Sequence, residues 1–395
     1  MTPRKSSPDK GSSLATWVEL NHLRALNILP ASFEQAHIGV EETTPIYDLN
    51  GEVLYLRTTV GRPRGPQGYA DIAVHPAFGE PLLAVSSGTP WDPEALQKQG
   101  LRAARAFGVE GIEKAELRFV AYSFPKLALQ FLLKGEEALL LELYTWQPVP
   151  PSTRSERYEP PGNFERWSFL EEMPEDERAV RTERFEQRIG RWREAFSRVS
   201  DLTIIDSARF VELAKLKAIR LVATRELHYS TRNADHHACY ELRGQQTGVW
   251  CVGASVQMVL DFYRYQYSQV RLAQELGLGT LTSPNGLPYS RDGDVVTVLE
   301  AMTCDALDAA MNVSPTFSEF ENEIDANRPL ISFVPGHSRT VAGYTRSFLS
   351  LFGQPPFRGL LVYDPWPPNA GVITRWENFN TTTYRRTFTA HVRKA

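Results

Sequence analysis

The stretch Gly244 to Tyr263, GQQTGVWCVGASVQMVLDFY, constrains the fold more than any other part of the chain. Behind a polar turn and a cysteine it opens an apolar run in which Val252, Val256, Val259, Leu260 and Tyr263 recur near helical spacing. The spacing predicts a helix with one buried stripe. Gly253, Ala254 and Ser255 allow close packing. Cys251 then stands at a helix N-terminus, where unpaired N–H groups and the positive end of the dipole favour the thiolate, the form that attacks carbonyl carbon. An amide returning across the turn, from Gln245 six positions earlier or from Gln246 one residue closer, can donate beside the sulfur. With the Cys251 N–H it would form an oxyanion hole. Taken alone, a cysteine before an apolar helix is equally a small buried hydrophobe.

A cysteine nucleophile needs a base and a group that orients it, both usually distant in sequence. Of eight histidines, His337 stands out. Leu330 to Val334, LISFV, reads as a buried strand, Pro335-Gly336 as a turn, and HSRTVAGY from His337 as a second strand. Further on, GLLVYDPW ends a third strand with Asp364, and Pro365 comes next. A carboxylate there can accept the imidazole N–H, set its tautomer and stabilise the imidazolium. Trp366 is placed to cover that pair. Read singly, His337 is a surface turn residue and Asp364-Pro365 an ordinary strand stop.

The order Gln, Cys, His, Asp, with a helix after Cys and strands before His and Asp, resembles the papain-like cysteine peptidases. The resemblance is especially to bacterial members such as streptopain, staphopain and the bacteriocin-processing double-glycine peptidases. In those families a Gln precedes the Cys by six residues, which selects Gln245. QQTGVWC is similar to their cysteine block, and HSRTVAGY with VYDP to their His and third-member strands; Asp rather than Asn as third member matches the bacteriocin-processing type. The resemblance covers about residues 240 to 395. It implies catalytic residues Cys251, His337, Asp364 and Gln245, a protein or peptide substrate, and no cofactor or metal. Two departures, the insert Thr345 to Arg358 and Val252 after the cysteine, bear on substrate preference. Two other readings use the same residues: a transglutaminase-like acyl transferase, and a non-catalytic interaction protein on a degenerate peptidase fold.

At 395 residues the chain can hold two or three domains. Its 43 basic and 47 acidic residues imply neither a nucleic-acid partner nor a membrane surface. Three cysteines, Cys239, Cys251 and Cys304, make no disulfide framework and suit a reducing compartment. The polar N-terminus lacks the apolar stretch of a secretory signal, so a cytoplasmic location is expected.

Residues 1 to 43 read as a disordered and short helical segment. Residues 44 to 147 read as a small α+β unit. PIYDL, the Asn50-Gly51 turn and VLYLRTTV form a hairpin, Thr89 to Phe107 a capped helix, and LRFVAYS, ALQFLLK and ALLLELYTW a meander. Nothing in this unit reads as catalytic. Its arrangement is similar to the inhibitory prodomains of streptopain-type peptidases, so it becomes a candidate inhibitor of the chain's own cleft.

Residues 148 to 235 read as a linker rich in Pro and Ser, then amphipathic helices at Glu171 to Val199 and Asp206 to Leu227, their charges forming a solvated side. Residues 236 to 395 would be the papain-like domain, a helical half facing an antiparallel β half. The cluster Asp235, His236, His237 and Cys239 lacks distant partners and makes a poor metal cage. Cys304 is expected to be buried and inert. The fold class expected is α+β throughout.

Overall fold

The computed structural model describes residues 37–62, 65–87, 91–150, 166–197, 222–227, 240–347 and 356–393. Asp235, His236, His237 and Cys239 lie outside them, as do the linker 151–165 and most of the expected second amphipathic helix.

The N-terminal region contributes β1 (His37–Asp48), β2 (Val53–Arg62), β3 (Gly65–Ala73), β4 (Leu82–Ser87), α1 (Pro93–Ala104), β5 (Glu116–Ser123), β6 (Lys126–Leu133) and β7 (Glu136–Glu142). The first strand therefore begins inside the segment expected to be irregular. α1 is as the sequence predicts. Asp92 accepts from Ala95 N, Pro93 opens the first turn, and the helix ends through a short 3-10 turn at Gly108, whose φ of 66° no β-carbon favours.

Past the linker come α2 (Phe169–Glu172), α3 (Glu175–Ser197) and β8 (Val222–Glu226). The expectation of helix through Leu227 fails at β8, which pairs with a later strand, so tertiary pairing overrides local pattern. The C-terminal region contributes α4 (Cys251–Phe262), α5 (Gln269–Glu275), α6 (Asp294–Ala301), β9 (Leu307–Asn312), α7 (Phe317–Asp325), β10 (Leu330–Val334), β11 (His337–Ser347), β12 (Arg358–Asp364), β13 (Val372–Asn378) and β14 (Arg386–Val392).

Among the described residues all fourteen strands belong to one sheet, in the order β7-β6-β5-β1-β2-β3-β4-β13-β12-β11-β10-β14-β9, with β8 also paired to β11. Only the β1–β5 pair is parallel. The regions expected as separate units meet where β4 pairs antiparallel with β13, Val85 opposite Trp376 and Ala84 opposite Glu377. Their cores are shared as well: Ile72, Leu82 and Val85 lie in one buried cluster with Met258, Val341, Val362 and Trp376. A second cluster packs α4, α5 and α6 onto β10 and β14 through Val256, Leu272, Leu299, Ile331 and Phe388.

Charged groups lock the junction. Glu80, just before β4, is fully enclosed; it pairs with Arg188 of α3 at 2.8 Å and accepts from Asn378 of β13 at 2.6 Å. Two helical turns earlier, Arg181 donates to the Thr381 carbonyl at 3.0 Å and to Thr383 at 2.8 Å. The expected solvated side of α3 thus fails at these two arginines, which are buried because each finds oxygen partners. At the entry to α2, the buried Asp48 accepts from Ser168 Oγ, Phe169 N and Leu170 N, the longest of these bonds 3.0 Å, tying β1 to the segment beyond the linker.

Removing the Glu80 carboxylate leaves the Arg188 guanidinium enclosed without its counter-charge. Glu80→Ala is therefore expected to lower the unfolding free energy by about 3–5 kcal/mol. Chemical denaturation should show that loss in a single cooperative transition for the whole chain, because the core is common to both regions.

Candidate active site

The site is assembled from three elements that sequence separates widely. α4 begins at Cys251 and is enclosed on nearly every face, with Val252 to Val256 and Met258 to Asp261 all buried. The expected single stripe understates this, because β11 covers one flank and α5 and α6 the other. The helix is fixed to β11 by a 2.9 Å hydrogen bond from Ser338 Oγ to Ser255 Oγ and by Thr340 Oγ1 against the Met258 sulfur. Trp250, fully buried, anchors the entry by donating Nε1 to the Leu278 carbonyl at 2.8 Å. Cys251 itself is free and only partly buried.

β10 and β11 form a hairpin in which Val334 faces His337 across Pro335-Gly336. Gly336 has a φ of 67°, a turn conformation that favours glycine, and its N–H donates to Tyr289 Oη at 2.6 Å. His337 is thereby fixed as the first residue of its strand. Asp364 closes the neighbouring β12. Its Oδ1 accepts from His337 Nε2 at 2.6 Å and from Trp366 N at 2.8 Å. Since Nε2 is taken by the carboxylate, Nδ1 is the ring nitrogen left for the thiol; it is buried without an oxygen or nitrogen partner. Trp366 is 6 % exposed, and it touches the pair through its backbone N–H to Asp364.

The electrostatics arise from burial opposed by charge. Burial pushes the Cys251 thiol up, but the hydrogen bond and charge of His337, the Lys126 ammonium and the Ser338 N–H outweigh it, so the pKa falls below the ordinary thiol value. For His337 burial works downward, and Asp364 with Cys251 outweighs it, raising the pKa. For Asp364 burial works upward, but His337, Arg339 and the Trp366 N–H hold the carboxyl below its usual range. All three shifts favour thiolate, imidazolium and carboxylate.

Gln245 is placed differently. Its side chain is enclosed; Nε2 donates to the Thr247 carbonyl at 2.7 Å and Oε1 has no partner among the described residues. It is not among the residues lining the cavity at Cys251. Its backbone is what reaches the site's carboxylate strand: Gln245 N donates to Pro365 O at 2.9 Å and Asn369 N to Gln245 O at 2.8 Å, bracing the loop after Asp364. Gly244 permits this, because a β-carbon there would lie 2.4 Å from Ala370 N. Gln246 also contributes its backbone, donating its N–H to the Gln269 side chain at 2.9 Å.

The cavity at Cys251 measures about 40 Å³, room for a few water molecules. Val249, Leu287, Tyr289, Val334 and His337 line it, and so do Ser123 and Lys126 from the tip of the β5–β6 hairpin. Sequence reasoning missed this contribution, because FVAYSFPKLAL carries no signal beyond a turn. A larger cavity of about 190 Å³ adjoins it, sharing Tyr289, Val334 and Gly336 and walled by Phe124, Trp167 and Met173. Cys304, expected to be buried, is exposed; it occupies a turn after α6 with φ of 50°.

Among the described residues no group of three or more His, Cys, Asp and Glu could hold a metal, and no helix is long and apolar enough to cross a membrane. No curated protein matches the chain. Residues 237–391, which include Cys251, His337 and Asp364, match the family model described as "Peptidase_C39 like family", so this part of the chain is similar to cysteine peptidase-like domains.

Proposed function

We propose that the protein hydrolyses peptide bonds, with Cys251 as nucleophile, His337 as general base and acid, and Asp364 as the carboxylate that orients the ring. The observation that carries this reading is the 2.6 Å bond from His337 Nε2 to Asp364, which leaves Nδ1 for a partly exposed thiol at a helix N-terminus in the same cavity.

The thiol proton passes from Sγ to Nδ1, and the thiolate attacks the carbonyl carbon while the carbonyl π pair moves to oxygen. The oxyanion faces the Cys251 N–H, one of the N–H groups with no partner inside the helix. Gln245 keeps a second amide hydrogen beyond its bond to Thr247, but as placed its side chain does not line the cavity of the thiol. The imidazolium then protonates the departing amine, and His337 takes a proton from the water that releases the acyl group. The adjoining 190 Å³ cavity, walled by Phe124, Trp167 and Met173 on one part and by Glu172, Glu177 and Arg339 on another, fits a bulky side chain of the substrate.

The N-terminal region is better read as a permanent wall of the cleft than as an inhibitor released when the linker is cut. The β4–β13 pairing, the common core and the Glu80–Arg188 ion pair would all survive a break within 151–165.

Cys251→Ala should abolish hydrolysis of a fluorogenic peptide carrying a large apolar residue near the scissile bond, and Asp364→Asn should lower kcat by roughly 10²- to 10⁴-fold. Wild-type kcat/KM should trace a bell against pH. It rises as the thiolate forms, below the ordinary thiol value, and falls as the imidazolium is lost, above the ordinary histidine value. A specific protease site engineered within 151–165 and then cut should leave both fragments eluting together at the mass of the intact chain. Separation with a gain of activity would restore the inhibitor reading.

A further inference from the structure

A charged side chain outside the proposed triad also lines the cavity of the thiol, and it comes from the N-terminal region. Lys126 opens β6 directly after the Phe124-Pro125 turn, so the β5–β6 hairpin carries it into the cleft. It lines the cavity of Cys251 and His337, and also the neighbouring one that Asp364 and Trp366 line. Its ammonium lies 5.1 Å from the centre of the Trp366 ring, the same residue whose N–H holds Asp364. Burial works to neutralise it, and the charges it feels in return are those of Cys251, Asp364 and Glu142. Among the described residues none of these three is a hydrogen-bonded or ion-pair partner of Lys126.

An ammonium held in a half-closed cleft without a paired carboxylate is costly unless the site itself presents the anion. Two anions arise there on the proposed reaction path: the thiolate of the resting pair, and the oxyanion of the tetrahedral intermediate. Gln245 does not line this cavity, whereas Lys126 does.

We propose that Lys126 is a fourth functional side chain of the cleft, an ammonium supplied by the N-terminal region whose charge favours the Cys251 thiolate at rest across the shared cavity and which donates to the carbonyl oxygen as it becomes an oxyanion. The inference rests on Cys251 as the nucleophile. No proton leaves Lys126 in either role. The thiol proton goes to His337 and from there to the amine, while the electron pair placed on oxygen during attack returns to carbon when the C–N bond breaks.

The test uses the full chain as wild type, Lys126→Met and Lys126→Arg, with Cys251→Ala as the labelling control. Alkylation of Cys251 by iodoacetamide, read by intact mass across about pH 4.5–9, reports the thiolate without any need for turnover. Lys126→Met is expected to lower the alkylation rate near pH 6 by about tenfold, with the titration curve moved to higher pH, and Lys126→Arg to restore most of it. Peptide kcat/KM should fall by about 10²-fold in Lys126→Met at unchanged thermal midpoint. Superimposable alkylation profiles for wild type and Lys126→Met would overturn the proposal, and so would faster peptide hydrolysis by the methionine variant. If wild type hydrolyses no peptide, the alkylation shift still decides the role of Lys126, and it is the peptidase reading that fails.

Discussion

The pairing of β4 with β13 is the constraint on which the rest of the molecule depends. β13 neighbours β12, which ends at Asp364, and β12 neighbours β11, which begins at His337. Without β4, the strand next to the carboxylate strand would be a sheet edge, with free N–H and C=O groups and no lateral support. The pairing also propagates in the other direction. In strand order six strands stand between β6 and β12, yet Lys126 at the start of β6 lines a cavity with Asp364. Only a strongly curled sheet can bring those two together, and accumulated strand twist supplies the curl.

Around Asp364 the charges alternate in sign. His337 holds Asp364, Arg339 lies behind it, Glu377 accepts from Arg339 Nη2 at 2.9 Å, and Tyr384 Oη donates to Glu377 at 2.7 Å. Each buried charge has an opposite neighbour, which offsets the cost of taking it from water. Asp364 is thus held ionised from both sides. The consequence reaches the sulfur: a carboxylate that stays charged keeps the ring protonated, and a protonated ring is what favours the thiolate against burial.

Much of this was legible in the sequence, for identifiable reasons. The Asn50-Gly51 hairpin, the capped α1, the LISFV strand and the Pro335-Gly336 turn all depend on contacts between near neighbours, so local residue types specify them. The cysteine, histidine and aspartate could be singled out because each sits at an element's end with its own turn signal, and the structure brings the three together. The parts that were not legible depend on distant partners. β8 carries a helix-compatible sequence but pairs with β11. Arg181 and Arg188 look like solvent charges until Glu80 and the oxygens of Thr381 and Thr383 are known. The side chain of Gln245 also took a local option, the Thr247 carbonyl two residues away, which no spacing argument weighs.

Lys126 meets the same limit. In sequence it is an ordinary polar residue at the start of a strand. Its environment is created only when the sheet closes, and then it is set among a thiol, a carboxylate and an aromatic face. A group positioned in this way ties the electrostatics of the cleft to the integrity of a region far from the cysteine in sequence. Any local opening of the β5–β6 hairpin would at once widen the 40 Å³ cavity and withdraw a positive charge from the sulfur. Access and nucleophile strength therefore move in opposite directions with the same element. A cleft built this way has its thiol most strongly activated when it is most enclosed.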